Sequence, residues 1–464
     1  MSAVVSKSPP VVVRPSVPVT TTGTINLSPL DKGLDAFPAT FFFVFDHPIH
    51  EPAETIKRAL AQALVHYYPI AGRLARRADG ELCIRCTGEG VAFVAASAGC
   101  TLEEAKFFDR QPLGAPVKLL DELAAVYPPA GGRAGHGDHP LLMMQVTEFS
   151  CGGFVVGVTW NHAVADGAGM AQFVQAVGEL ARGGPSSAAA PTVLPVTSDD
   201  SLPSLPLLAS VGRQMVARLE PREFACFDAV VPRRLIDRIR DEFRGRSGGR
   251  RCTEFEAVAA VVWRCRTRAV AAAATDHPAL LSFVASVRRL VGAKDGYYGN
   301  CVTPQLVMAT SAAVAGGDVA DLVEMIKRGK EQIPEQLKHG GDGGVQTLKQ
   351  VMAMASQGGL GLKQVVTLAI RGLGQRQLSV GELFRYSLLS VSCMRRLGLE
   401  EADFGGGAPA RVMCRASQMA LPDCVVCLPR RGEEEDGASV LLRCVTEEHA
   451  EAFRGALTKM FMAS

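Results

Sequence analysis

The chain has 464 residues, too many for one hydrophobic core, so two domains of about 150–250 residues each are expected. Hydrophobic residues make up 47% of it, enough for sizeable cores. With 49 Lys and Arg against 47 Asp and Glu, the net charge is +2, which excludes a general electrostatic pull toward nucleic acid or anionic membrane and favours a small-molecule partner.

The N-terminal stretch MSAVVSKSPPVVVRPSVPVTTTG is apolar, but its prolines break it before a signal-peptide core or a membrane span of about 20 residues can form. It resembles a transit peptide in having no acidic residue before Asp31, yet it runs directly into patterned sequence, which argues against that reading. An odd count of 13 cysteines without a secretion signal implies reduced thiols and a cytoplasmic setting. The pairs CIRC (Cys83, Cys86) and CVVC (Cys424, Cys427) sit in strand-like runs without a histidine at ligand spacing. They read as small apolar residues, and no metal site is expected.

Along the chain, Phe42, Phe43 and Phe45 in TFFFVF read as core strand residues. Ile56, Leu60, Ala63, Leu64 and Tyr67 recur at helical spacing until Pro69 stops them. GELCIRC and GVAFVAAS follow as short strands, then PLLMMQVTEF and GGFVVGVTWN as a strand pair joined through Cys151–Gly153. Residues 154–161 alternate as a strand, Gly167 and Gly169 permit a tight turn, and MAQFVQAVGELARGG predicts a helix. Residues 184–206 carry five prolines and little periodicity, which marks a crossover linker. The expected division is 1–184, linker 185–206, and 207–464.

The second part repeats this mixture. Helices are expected at EFEAVAAVVWRCRTRAV and VADLVEMIKRGKEQI, and strands at LLSFVASVR, CVTPQLVM, DCVVCLP and ASVLLRCV. The stretch Gly340–Gly361 reads as a connector with one embedded helix, and RRGEEEDG as a solvated hairpin tip.

The stretch TWNHAVADGAGM places His162 at a strand end and Asp166 in the following turn, where α/β proteins present side chains to a cleft. Spacing alone is weak evidence, because a lone histidine is more often a structural group. The sequence has no GxSxG elbow, GxxxxGK[ST] loop, HExxH or strand-linked GxGxxG, and DFGGG lacks the companion motifs of a kinase.

Taken in order, the motifs resemble those of the plant BAHD acyl-CoA-dependent acyltransferases. LSPLD (Leu27–Asp31), YPIAGRL (Tyr68–Leu74), HxxxDG (His162–Gly167), TEFEAVAAVVWRCRT (from Thr253), GYYGN (Gly296–Asn300), DFGGG (Asp403–Gly407) and TEEHAEAF cover nearly the whole chain. The resemblance implies a two-domain α/β fold like chloramphenicol acetyltransferase, each domain a mixed sheet flanked by helices, with a tunnel at the interface. It implies a monomer that uses acyl-CoA as co-substrate, holds no cofactor tightly and acylates a small-molecule alcohol or amine.

The resemblance also implies roles. His162 is the general base, and an ordinary imidazole with a pKa near 6.5 is roughly three quarters unprotonated at pH 7. Asp166 pairs with an arginine to hold the loop in preference to joining a triad, and Arg288 in FVASVRRL is the expected partner. Ser392 matches an oxyanion-donor position. Arg288, Arg289, Lys294 and Thr253 are candidate contacts for coenzyme A, although the basic group also reads as a solvated loop. Asp403, Phe404 and Gly405 match a structural motif, while Gly406 and Met394 stand where the family has tryptophans. Both changes enlarge or loosen that neighbourhood. An alternative is a catalytically weak relative acting as a binding protein, and a condensation domain shares the HxxxDG pattern. Alcohols lead as acceptors, because an alkyl amine of pKa about 10.4 must first lose a proton at a cost of about 4.6 kcal/mol at pH 7.

Overall fold

The computed structural model describes residues 5–18, 23–32, 34–35, 38–107, 113–114, 118–125, 139–183, 190–204, 223–270, 278–338, 387–415, 421–429, 432 and 436–463. In chain order the strands are β1 (Val5–Lys7), β2 (Val11–Val13), β3 (Thr24–Asn26), β4 (Pro38–Phe45), β5 (Arg73–Arg76), β6 (Leu82–Arg85), β7 (Val91–Ala98), β8 (Leu113–Gly114), β9 (Leu142–Phe149), β10 (Phe154–Asn161), β11 (Ala225–Pro232), β12 (Pro278–Ser286), β13 (Val302–Thr310), β14 (Leu388–Cys393), β15 (Arg411–Cys414), β16 (Asp423–Val426) and β17 (Gly437–Val445). The helices are α1 (Pro52–His66), α2 (Gly167–Arg182), α3 (Arg233–Arg246), α4 (Glu254–Val270), α5 (Arg288–Val291), α6 (Ser311–Gly316), α7 (Val319–Glu331), α8 (Ile333–Lys338) and α9 (Glu447–Met462).

The fold is a two-domain mixed α/β architecture. The first sheet runs β1-β7-β9-β10-β4-β15, with β2 also on β7. Among the described residues, only β7 and β9 pair in parallel within it. Every residue of β10 is buried. This follows from a central position with both faces covered: Phe43 and Phe45 of neighbouring β4 join the main core, while Phe42 and Val44 join a second cluster with Phe107 and Leu123. The proline-broken N-terminus supplies the edge strands β1 and β2, where a missing N–H does least harm.

The second sheet runs β13-β12-β14-β16-β17-β11-β8, with β12, β14 and β16 parallel. Helices α4, α7 and α9 pack with it around Trp263, Val323 and Phe453. Helix α3 was not anticipated. Its apolar positions Leu235, Ile236, Ile239 and Phe243 are all buried, but in the sequence they are outnumbered by charged residues. The connector expected at Gly340–Gly361 lies outside the described residues, as does most of the RRGEEEDG tip between β16 and β17.

Sheet membership crosses the linker in both directions. Strand β15, late in the chain, closes the first sheet against β4, and β8, early in the chain, pairs with β11 at the edge of the second. Arg411 of β15 forms a buried ion pair with Asp228 of β11, and its Nη1 donates to the Phe107 carbonyl at 2.7 Å. Beside it, Arg443 donates to Asp423 from Nε at 2.8 Å and from Nη2 at 2.5 Å, and also binds the Arg415 carbonyl at the end of β15. The main core likewise reaches across, taking in Val425 and Leu441 of the second sheet beside Phe41 and Trp160 of the first.

Candidate active site

The loop after β10 is fastened at each turn. Asn161 donates from Nδ2 to the Asp35 carbonyl and accepts from the Ala163 N–H, both at 3.0 Å. The Trp160 indole donates to the Ala165 carbonyl at 2.9 Å, and its ring lies 6.2 Å from that of half-buried His162. The glycines do not form a separate turn. Helix α2 begins at Gly167, with Asp166 as its N-cap accepting from the Gly169 N–H at 2.9 Å.

The Asp166 carboxylate is engaged by other groups. Its Oδ1 accepts from Arg288 Nη2 at 2.8 Å as well as from Gly169, and its Oδ2 accepts from the Cys301 N–H at 2.9 Å. Arg288 also donates to the carbonyls of Tyr297 and, at 2.7 Å, Gly299. Three of its five N–H donors are thereby engaged with the protein. The clamp ties α2 to the GYYGN segment, and Gly169 permits the approach: a Cβ there would lie 1.7 Å from the Tyr298 carbonyl oxygen.

His162 is oriented instead by Asn300, whose Oδ1 lies 3.0 Å from His162 Nδ1. The Asn300 amide cannot turn over without losing two bonds, because Nδ2 donates to Asp31 Oδ1 and to the His162 carbonyl, each at 2.8 Å. Its Oδ1 must therefore accept from Nδ1–H, which leaves Nε2 as the nitrogen carrying the lone pair. Asp31 accepts from the Asn300 N–H at 3.0 Å and, through Oδ2, from the Ser28 N–H at 2.7 Å. Burial pushes the Asp31 carboxyl above the ordinary range, against the hydrogen bonds from Ser28 and Asn300. A cavity of about 200 Å³ opens beside this network, bordered by Asp31, Val164, Asp199, Tyr297 and Gly299. Asn300 and Asp31 had been noted as members of GYYGN and LSPLD, and nothing in their local spacing assigns them a contact with His162.

The other sequence candidates occupy different places. Thr253 is exposed and forms a capping box for α4, its N–H donating to Glu256 at 2.8 Å and its hydroxyl accepting from the Glu256 N–H at 3.2 Å. Arg289 and Lys294 are exposed. The Lys294 ammonium lies 3.7 Å from Asp199, which also accepts from its backbone N–H at 3.0 Å. Ser392 is half-buried on β14, in register with Val425. Asp403 accepts from Gly405 and Gly407 N–H at 2.8 and 2.9 Å, and Phe404 packs edge-on to Phe45 at 5.3 Å. This turn rests on Gly178 and Arg182 of α2, about 16 Å along the helix from its His162 end. Gly406 is not a hole: a Cβ there would stand 3.1 Å from Ile49 Cγ2 and 3.2 Å from the His47 carbonyl. Met394 is buried in the main core.

Two mixed sheets sharing strands, with the histidine loop at the end of a central strand, define a two-domain transferase fold. The transferase family model matches residues 4–460, and the chain belongs to this family, the BAHD acyltransferases of its motifs. It is 44% identical to acyl transferase 15 of Oryza sativa subsp. japonica over 99% of both chains. To myricetin 3-O-glucosyl 1,2-rhamnoside 6'-O-caffeoyltransferase AT2 of Crocosmia x crocosmiiflora it is 31% identical over 98% of both. The fold matches vinorine synthase with a TM-score of 0.69 at 19% identity, covering 98% of each chain. It also matches TRI101 of F. sporotrichioides, solved with coenzyme A and T-2, with a TM-score of 0.67 at 16% identity over 94% of this chain and 99% of that one. The chain is thus an acyltransferase. Among the described residues, no helix is long and apolar enough to cross a membrane.

Proposed function

We propose that the protein moves an acyl group from an acyl-CoA thioester to the hydroxyl of a small-molecule acceptor, with His162 as general base. The hydrogen bond between His162 Nδ1 and Asn300 Oδ1 carries this reading, because it presents Nε2 in its proton-accepting form. Nε2 takes the acceptor's hydroxyl proton as the oxygen attacks the thioester carbonyl. The tetrahedral intermediate then collapses, the C–S bond breaks, and the imidazolium returns the proton to the departing thiolate. No covalent acyl-enzyme is required. Ser392 is the candidate donor to the oxyanion, a role commonly worth about 3–4 kcal/mol.

Coenzyme A is the co-substrate in this reading, supported by its presence in the TRI101 complex. Arg288, Arg289 and Lys294 are the candidates to meet its phosphates, with Arg289 and Lys294 exposed and Arg288 also holding Asp166. A hydroxyl acceptor is supported by the O-acylating relative named above and by the neutrality of alcohols at pH 7. The chain divides at residues 185–206, each domain lending a strand to the other, and acts as a cytoplasmic monomer. A thiol-release assay with pooled acyl-CoAs and acceptors tests the proposal. Wild type is expected to release coenzyme A with at least one pool and His162→Ala not to; equal, slow release by both rejects it.

A further inference from the structure

Away from His162, helices of the second domain border an open pocket of about 310 Å³ with a wall of mixed character. Leu235 and Ile239 of α3, Val319 at the start of α7 and Met460 of α9 give it an apolar part, and Arg264 of α4 also lines it. Arg264 Nε is buried without a hydrogen-bond partner, and among the described residues the side chain has no ion pair. The carboxylates on the same wall are occupied. Asp318 accepts from the Ala320 N–H at 3.0 Å and pairs with Arg246 at 2.8 Å, while Glu242 lies 3.7 Å from Arg238. Burial first, and Arg268 second, holds the Arg264 guanidinium below the usual arginine range. Arginine stays charged at neutral pH, and its Nη1 and Nη2 are not among the buried unpartnered atoms, so they are the donors that can meet an oxyanion in the pocket.

We propose that this pocket binds a small carboxylate with an apolar body, of the size of benzoate or cinnamate. The carboxylate meets Arg264, and the body lies against Leu235, Ile239, Val319 and Met460. With Asp318 and Glu242 already paired, Arg264 favours an anion over a neutral ligand, and the apolar wall disfavours a bare phosphate. None of the lining residues belongs to β10, α2 or the Gly296–Asn300 segment, so the site is distinct from the His162 centre and does not depend on the acyl-transfer reading.

Titration calorimetry of the full chain with sodium benzoate and sodium cinnamate tests this, with benzamide and inorganic phosphate as comparison ligands. Saturable binding of a carboxylate is expected, weakened at least tenfold by Arg264→Gln and retained by His162→Ala. Benzamide and phosphate should bind at least tenfold more weakly. Met460→Trp fills the pocket while keeping Arg264 and is expected to abolish binding, and thermal melts establish that each variant is folded. Absence of saturation at millimolar carboxylate, or equal affinity in wild type, Arg264→Gln and Met460→Trp, overturns the site. Phosphate binding as tight as benzoate overturns the ligand class.

Discussion

At the scale of single residues, the HxxxD pair divides its work. His162 is held by Asn300, and Asp166 is spent on Arg288 and two backbone N–H groups. Replacing His162 by Ala should lower kcat by about 10²–10⁴ with little change in melting temperature, because the ring is half-buried and its proposed role is proton transfer. Asp166→Ala should instead register first as instability. It strands Arg288 and uncaps α2, a loss of about 3 kcal/mol in a urea titration, toward the lower end for a buried pair because the arginine side chain is 22% exposed. Asn300→Ala should reduce kcat more than KM, since it frees the imidazole to adopt the other tautomer. A mutant with wild-type kcat would show that the Asn300 contact does not set the base. His162 was legible in the sequence from its motif, whereas its true neighbours were not: Asn300 is 138 positions away, and Asp31 lies 269 positions before Asn300.

At the scale of elements, glycines set how closely α2 approaches its neighbours. Gly169 meets the Tyr298 carbonyl and Gly178 meets that of Asp403, so two motifs far apart in the chain dock on one helix. Gly169→Ala should cost several-fold more stability than a substitution at an open site and should lower activity with it. Gly455, inside α9 with nothing within 4 Å of a Cβ, offers the contrast: Gly455→Ala should stabilise by about 0.5–1 kcal/mol, read as a higher urea midpoint. The DFGGG turn illustrates what substitution patterns alone miss. The missing tryptophan suggests vacant space, yet the backbone at Gly406 lies against Ile49 and His47. Gly406→Trp is therefore expected to destabilise by about 1–3 kcal/mol through overpacking instead of restoring a lost contact, and a raised melting temperature would contradict this.

At the scale of the molecule, the domains are joined by exchanged strands and by the buried pairs Arg411–Asp228 and Arg443–Asp423. Breaking such a pair leaves a buried charge. Asp228→Ala should thus cost about 3–5 kcal/mol in a denaturation series, against under about 1 kcal/mol for Asp237→Ala, whose partner Arg240 is exposed. Most elements were readable from their patterns, including α1, α2, α4, β9 and β10, since apolar periodicity reports which face is covered. Helix α3, the strands β1, β2, β8 and β15 and the strand exchange were not. A charge-rich helix hides a narrow apolar stripe, and β8 and β15 are too short, at two and four residues, to show a period.

The sequence by itself determined the mixed α/β class and the ordered motifs that place the chain in its family, because composition, periodicity and motif order are properties of the chain taken alone. Only the tertiary structure decided that Asn300 fixes the His162 tautomer, that Asp31 holds Asn300, and that Arg264 lines a pocket with its Nε unpartnered. Those outcomes depend on hydrogen-bond geometry between segments up to 269 residues apart, which local pattern does not encode.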